Sequence, residues 1–226
     1  MIAERLAEVR ARIDAAARAA GRDPASVRLV AVSKTHPASA IREAYAAGQR
    51  DIGESYAQEL RDKAEELADL ADLRFHFIGH LQTNKAKYVA KAASFVHSVD
   101  GEELARELDK RARAAGRPVL PVLLEVNAGI EAQKGGVPAS EVRALVDVVR
   151  ALPSLELRGL MTMPPFGDLG IARKVFEDLV RLRDALGGAA ALPELSMGMS
   201  DDLDVAVAAG ATMVRVGTAI FGARGA

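Results

Sequence analysis

The sequence predicts an α/β fold, a single (β/α)8 TIM barrel, from two observations. Short segments rich in apolar and β-branched residues alternate along the chain with longer segments of helical period. Eight of the short segments read as strands, and strands that alternate with helices pair in parallel with the helices outside. An open, doubly wound sheet is the alternative fold, because a strand count from one sequence can be wrong by one or two.

The elements follow one another without a linker. An amphipathic helix is expected at about residues 1–20, packed on the barrel, because Ile2, Leu6, Val9 and Ile13 fall at helical spacing. The strands are expected at 28–34, 50–54, 74–79, 94–99, 119–127, 156–163, 194–198 and 212–217. The helices between them are expected at about 38–47, 55–70, 81–92, 101–115, 138–151, 169–187 and 201–209. Residues 1–226 are therefore expected to form one domain.

Composition excludes several classes of function. The 226 residues include 30 Lys plus Arg and 31 Asp plus Glu, so no overall basic charge indicates a nucleic-acid partner. The absence of cysteine removes disulfides, thiolate metal sites and cysteine nucleophiles, and it suits a reducing cytoplasm. No apolar run reaches the roughly 20 residues that span a bilayer. We expect a cytoplasmic protein with neither a membrane nor a nucleic-acid partner.

Small and hydroxyl residues collect where such barrels bind phosphate. The carboxyl ends of the strands form the mouth of the barrel, and anions commonly bind in the loops after strands seven and eight. Gly198 and Ser200 stand at the end of the seventh predicted strand, and Gly217 and Thr218 at the end of the eighth. Either loop alone would be an ordinary turn or helix cap. Together they favour a phosphate site.

Lys34 ends the first predicted strand, in the stretch RLVAVSKTHP. A lysine whose stem follows a barrel strand is partly desolvated, which favours its neutral, nucleophilic amine. A phosphate site beside such a lysine indicates pyridoxal phosphate (PLP), held as a Schiff base. The alternative is a lysine that extends from a strand end into solvent. Arg215 speaks against that alternative, because it would point into the same mouth.

An arginine at the pyridine nitrogen of PLP would have a chemical consequence. Its permanent charge disfavours protonation of that nitrogen, and the unprotonated ring stabilises a carbanion less well. Arg215 in that position therefore favours a binding protein over a strong catalyst.

Six motifs in order carry a resemblance to a known family over about residues 28 to 222. They are AVSKTHP, DIGESYAQE, FHFIGHLQTNK, LLEVNAGIEAQKGGV, GLMTM and LSMGMSDDLDVAVAAGATMVRVGTAIFG. Together they resemble the pyridoxal phosphate homeostasis protein family, the YggS and PROSC group. The resemblance implies a fold-type III barrel similar to the N-terminal domain of alanine racemase, without that enzyme's C-terminal β-domain.

The resemblance also implies a site and a role. Lys34 matches the Schiff-base lysine of the family, and four further residues match its phosphate and ring-nitrogen surroundings: Ser200, Arg215, Gly217 and Thr218. The implied role is a reservoir or carrier in PLP (vitamin B6) homeostasis, without established turnover and with apo PLP-dependent enzymes as recipients. His36 and Ser55 stand where the family usually has lysine and asparagine, so no cofactor contact is assigned to Ser55.

A PLP-dependent amino-acid racemase is the alternative function. A racemase needs acid–base groups on both faces of the substrate carbon, and related racemases place the second group, a tyrosine, with help from an extra domain and a partner subunit. Only eight residues follow Thr218, so no such domain is expected, which also favours a monomer. A phosphate-binding barrel without aldehyde chemistry is a third reading.

Other polar residues receive weaker assignments. No metal site is expected, because His76 and His80 straddle a strand end rather than share a helical face. No catalytic residue is expected, because the family that the sequence resembles has no established turnover. The lysines at positions 85, 87 and 134 are candidates for a second, non-covalent PLP site.

Overall fold

A closed barrel of parallel strands forms the centre of the computed structural model, which describes residues 1–127 and 135–223. The strands are β1 (Arg28–Val32), β2 (Asp51–Glu54), β3 (Arg74–Phe77), β4 (Phe95–Val99), β5 (Leu120–Asn127), β6 (Val137–Pro138), β7 (Leu155–Met161), β8 (Glu194–Ser196) and β9 (Met213–Val216). Eight of them close in the order β1–β2–β3–β4–β5–β7–β8–β9–β1, while β6 only pairs with β5. The predicted TIM barrel is confirmed, and the open sheet is wrong.

Helices surround the barrel. They are α1 (Ile2–Ala19), α2 (Ala38–Ala46), α3 (Ala57–Glu66), α4 (Ala86–Ala92), α5 (Glu102–Ala114), α6 (Val142–Arg150), α7 (Leu169–Ala185), α8 (Gly188–Ala191), α9 (Leu203–Ala209) and α10 (Thr218–Phe221). Every predicted helix is present. The additional elements β6, α8 and α10 are two to four residues long, too short to produce a hydrophobic period. No helix in the described ranges is long and apolar enough to cross a membrane.

The N-terminal helix α1 closes the outside of the barrel beside the first and last strands. Its buried face consists of Leu6, Val9, Ile13 and Ala17, which recur at helical spacing. This face packs against α2, α9 and α10. The helix therefore contacts both elements that follow the predicted phosphate loops.

Two apolar clusters divide the core. The larger one lies between the strands and the surrounding helices, and it contains the outward residues of each strand, such as Val214 and Val216 of β9. The smaller one consists of Phe95, Leu123, Met161 and Met213. Because side chains alternate along a strand, these four lie on the inner face of the barrel.

The first strand ends two residues earlier than predicted. The N–H of Ser33 still donates to the carbonyl of Gly53 at 3.0 Å, but Lys34 and Thr35 form a turn. Thr35 has a φ of 67°, a left-handed conformation that a β-branched residue rarely adopts. Lys34 therefore lies in the β1–α2 loop rather than in the strand.

Candidate functional site

Three adjacent strands bring the five predicted site residues to one end of the barrel. β9 pairs with β1 on one side and with β8 on the other. Lys34 lies two residues beyond β1, Ser200 four residues beyond β8, and Gly217 and Thr218 directly after β9. Arg215 belongs to β9 itself and is only 4% exposed. All five therefore lie at or near the mouth, as the strand ends predict.

The loop after β9 approaches the end of β1 very closely. A Cβ atom added at Gly217 would lie 3.1 Å from the carbonyl oxygen of Val32 and 3.3 Å from its Cβ. Because residue 217 is glycine, the loop after β9 can pass close to the end of β1. Lys34 follows Val32 by two residues, so this loop also lies near the Lys34 turn. Gly217 also precedes α10, whose first N–H groups have no acceptor within the helix. Such groups can bind an anion.

The loop after β8 is fixed to its neighbours. Gly198 has a φ of 94°, and a Cβ there would lie 2.5 Å from the Cβ of Ala206 in α9. The N–H of Arg215 donates to the carbonyl of Gly198 at 2.9 Å, which ties this loop to β9. Arg12 of α1 donates to the carbonyl of Ser200 at 2.6 Å. The backbone of Ser200 is therefore held in place beside the loop of Gly217.

A buried ion cluster of Lys63, Glu54 and Glu59 lies beneath the Lys34 turn. The ammonium of Lys63 on α3 lies 2.6 Å from Glu54 Oε1, at the end of β2, and 2.7 Å from Glu59 Oε1. Glu54 is fully buried, and its Oε2 atom has no hydrogen-bond partner among the described residues. Burial raises the pKa of Glu54, and the nearby Lys63 opposes that shift.

The ion cluster holds the residues on both sides of Lys34. The Lys63 ammonium donates to the carbonyl of Ser33 at 2.8 Å, and the Ser33 hydroxyl donates to Glu54 Oε1 at 2.5 Å. The carboxylate of Glu59 accepts a hydrogen bond from the N–H of Thr35 at 2.7 Å. The left-handed backbone of Thr35 persists because these contacts over-determine the turn. Lys34, half-buried, is therefore presented at the mouth by a fixed loop.

Arg215 points into the barrel and is held by two acceptors. Its Nη1 donates to Ser196 Oγ at 2.6 Å, and its Nη2 donates to the carbonyl of Thr162 at 3.0 Å. Burial lowers the pKa of Arg215 to about 10, while Glu125 and Asp202 oppose the shift. Arg215 is therefore still a cation near neutral pH. Its guanidinium is oriented before any ligand binds.

These residues fit PLP chemically. Lys34 offers an amine for an aldehyde, and the backbone N–H groups of the two glycine-containing loops can cradle a phosphate. A Cβ at Gly217 or Gly198 would press on Val32 or Ala206 and displace these loops. Arg215, a buried cation, lies on β9, the strand between β8 and β1. The arrangement can hold an anionic aldehyde near a lysine.

Sequence reasoning missed Lys63 and Glu125. Lys63 lies on the buried face of α3 together with Ala57 and Leu60, and a lysine at such an apolar helical spacing is a signal that could have been used. Glu125 lies within the apolar strand β5 and is 6% exposed. Burial raises the pKa of Glu125, Asp100 raises it further, and Arg215 opposes both. Both residues place charge close to the predicted site.

The remaining assignments concern histidines and lysines. His76 lies inside the barrel, whereas His80 is exposed and lies 3.4 Å from Asp100. The described part of the chain contains no group of three side chains that could hold a metal ion. Lys87 stacks on the ring of Tyr88 on the outside of α4. Position 134 lies outside the described residues.

Comparisons with known proteins show the family to which the chain is similar. A family model described as alanine racemase, N-terminal domain, matches residues 5–225. A pyridoxal phosphate homeostasis protein of Pseudomonas aeruginosa is 52% identical over 225 residues, which are 99% of this chain and 96% of that protein. The structure of PipY from Synechococcus elongatus with PLP bound is 41% identical, with a TM-score of 0.85, over 98% of this chain and 100% of PipY.

Alanine racemases share the fold at low identity. The enzyme of Corynebacterium glutamicum is 17% identical, with a TM-score of 0.69, over 100% of this chain and 61% of the racemase. This likeness concerns the fold alone.

Proposed function

Because the chain belongs to the pyridoxal phosphate homeostasis proteins, within the alanine racemase N-terminal domain family, we propose that it binds PLP as a Schiff base on Lys34 and acts as a reservoir or carrier of PLP. The amine of Lys34 condenses with the aldehyde of PLP and one water leaves, which is reversible chemistry suited to storage and release. Apo PLP-dependent enzymes are the proposed recipients.

The observation that carries this proposal is the meeting of the Lys34 turn with the Gly217 loop. A Cβ at Gly217 would lie 3.1 Å from the carbonyl of Val32, so the anion cradle and the lysine belong to one small volume. A phosphate held by the N–H groups after Gly217 and by Ser200 would keep the aldehyde end of PLP close to the amine. PLP bound in the PipY structure supports the same ligand here.

The site is open enough to release its ligand. Thr218 is exposed, and both Lys34 and Ser200 are half-buried rather than enclosed. A carrier needs such an opening, whereas an enzyme that stabilises a carbanion benefits from excluding water. The exposure therefore supports storage and transfer.

Arg215 supports binding rather than catalysis. Two protein acceptors hold its guanidinium, and it remains charged near neutral pH. A cation at the ring nitrogen of PLP disfavours protonation there, so that the ring withdraws fewer electrons from an attached amino acid. We infer that any turnover would be slow.

The racemase alternative lacks a well-placed second base. Tyr45 donates a hydrogen bond to Asp72, and the Tyr88 ring on the outside of the barrel has the cations of Arg61 and Lys87 5.0 and 4.9 Å from its centroid. Tyr56, the remaining tyrosine of the sequence, precedes α3 near the mouth and is 54% exposed. Tyr45 and Tyr88 are therefore engaged in contacts away from the mouth, and Tyr56 is largely exposed to solvent.

A titration with PLP tests the proposal. The wild-type protein should develop a visible band and should retain PLP in equilibrium dialysis, whereas Lys34→Ala should lose the band and bind at least about tenfold more weakly. Lys110→Ala is the matched control, since this lysine lies on α5 with its side chain 70% exposed, and it should behave like the wild type. A colourless wild-type protein would contradict the proposal.

Two functional assays separate the carrier from the racemase. The yellow protein should restore activity to an apo PLP-dependent enzyme, at a rate that Lys34→Ala loaded to the same occupancy does not match. Incubation with each common L-amino acid should give no sustained formation of the D-form. Sustained racemisation that depends on Lys34 would replace the carrier assignment with the enzyme.

A further inference from the structure

A line of five hydrogen-bonded side chains crosses the inside of the barrel, from Arg215 to Asp51. Arg215 Nη1 lies 2.6 Å from Ser196 Oγ, which lies 2.8 Å from His97 Nδ1. His97 Nε2 lies 2.9 Å from His76 Nδ1, and His76 Nε2 lies 2.9 Å from Asp51 Oδ1. We refer to these five residues as the axial chain.

The axial chain joins opposite walls and opposite ends of the barrel. Its members come from β9, β8, β4, β3 and β2, and the link between β8 and β4 joins strands that are not neighbours in the barrel. Asp51 is the first residue of β2 and lies at the amino end, where Arg74 binds it through two hydrogen bonds of 2.8 Å. Each member is at most 7% exposed.

Each hydrogen bond in the axial chain has one possible direction. The carboxylate of Asp51 only accepts, so neutral His76 carries its proton on Nε2 and accepts at Nδ1. Neutral His97 must then donate to His76 from Nε2, and its Nδ1 accepts the hydroxyl proton of Ser196. The lone pairs of Ser196 Oγ are left to accept from Arg215, whose guanidinium only donates. The carboxylate at one end thus fixes both tautomers.

The charge states agree with these directions. Burial lowers the pKa of His76 and lowers that of His97 well below its ordinary value, so both rings are neutral near pH 7. Burial alone would raise the pKa of Asp51, but hydrogen bonds from Arg74 and His76 outweigh it and lower that pKa. Asp51 is therefore a carboxylate, and it can only accept.

We propose that His97, acting through Ser196, is a positioning residue for Arg215, and that the axial chain locks the guanidinium in the one orientation that meets the PLP ring. This inference rests on the proposed function. Without an acceptor on His97, the Ser196 hydroxyl is no longer held as an acceptor for Arg215. The guanidinium then loses one of its two fixed contacts.

The first test needs no cofactor. Nitrogen-15 NMR of the histidine rings in the apo protein should find His76 and His97 neutral and protonated on Nε2, from about pH 6.5 upward. A ring protonated on Nδ1, or one that exchanges between tautomers, would overturn the axial chain.

The second test uses the absorption of bound PLP. His97→Phe keeps a ring against Phe95, which packs 5.1 Å away, but it removes both nitrogens. This variant should shift the visible band and weaken PLP binding about tenfold, the cost of one unsatisfied buried donor. His97→Asn offers an amide oxygen near the position of Nδ1 and should restore both properties to near the wild type.

Controls keep this test decisive. Ser98→Ala alters the next residue, whose buried hydroxyl has no partner among the described residues, and it should change neither band nor affinity. If His97→Phe does not fold, Ser196→Ala should give the same shift with a smaller change in volume. A folded variant of either kind with a wild-type band and affinity would overturn the inference. Failure of the wild type to bind PLP would instead contradict the proposed function.

Discussion

Lys63 is the residue on which the Lys34 turn depends most directly. Its ammonium bonds Glu54, Glu59 and the carbonyl of Ser33, all within 2.8 Å. Replacing one partner of a buried ion pair leaves the other charge uncompensated, which costs more than the pair itself contributes. The stability of the turn should therefore be sensitive to this one side chain.

Lys63→Met should destabilise the fold by about 3 to 5 kcal/mol at pH 8. The loss should be smaller at pH 5, because burial already raises the pKa of Glu54 and the variant can protonate it, which removes the unpaired charge. Urea denaturation at both pH values measures the difference. Lys110→Met, at a side chain that is 70% exposed, should have no measurable effect. An equal loss at both pH values would contradict the account.

The positions of the site residues at strand ends could be predicted from the sequence, but the side-chain contacts that hold them in place could not. Lys34, Gly217 and Thr218 follow apolar strands, so their place at the mouth follows from the barrel itself. The pairing of Lys63 with Glu54 depends on how α3 lies across β2, and strand and helix periods do not specify that packing. The sequence also predicted Lys34 as the last residue of the strand, whereas β1 ends at Val32 and a turn with left-handed Thr35 follows.

Among the elements, α1 has the clearest link to the site. Arg12 donates to the carbonyl of Ser200 and makes an ion pair of 2.6 Å with Asp204 of α9. The N-terminal helix thereby braces the loop that follows β8. Its amphipathic period was visible in the sequence, but this role was not.

Arg12→Ala should weaken the binding of PLP about threefold, because the Ser200 loop loses one anchor while the cradle residues stay intact. Isothermal titration calorimetry with PLP provides the measurement. Arg18→Ala is the matched control on the same helix, since Arg18 makes only a 3.6 Å contact with Asp14. Equal effects of the two substitutions would show that α1 does not act through Arg12.

For the whole molecule, alternation of strands and helices was enough to predict the barrel. Eight parallel strands close because each βα unit repeats the same packing, and the sequence carries that repeat plainly. The axial chain was beyond prediction, because His97 and Ser196 are 99 positions apart and meet only across the closed barrel. Its histidines nevertheless affect the stability of the entire fold.

Stability should fall as the pH drops below about 6.5. Burial lowers the pKa of both His76 and His97 from the ordinary 6.5, so the unfolded chain takes up these protons before the folded one does. Each histidine contributes a slope of up to about 1.4 kcal/mol per pH unit in that range. Glu54 and Glu125 act in the opposite sense, because burial raises their pKa values above 4.5.

Comparison with His97→Asn isolates the histidine contribution. The melting temperature of this variant should fall less between pH 7 and pH 5 than that of the wild type, since the buried carboxylates are common to both proteins. Parallel pH profiles would show that His97 does not resist protonation in the folded state.

The most direct test of the central claim is chemical trapping. The wild-type protein is saturated with PLP, reduced with borohydride and digested, and the modified peptide is identified by mass spectrometry. We predict one stoichiometric adduct, on Lys34 in the peptide that follows Arg28, and none on Lys63 or Lys87. An adduct on another lysine, or PLP retained without any reducible adduct, would contradict the account.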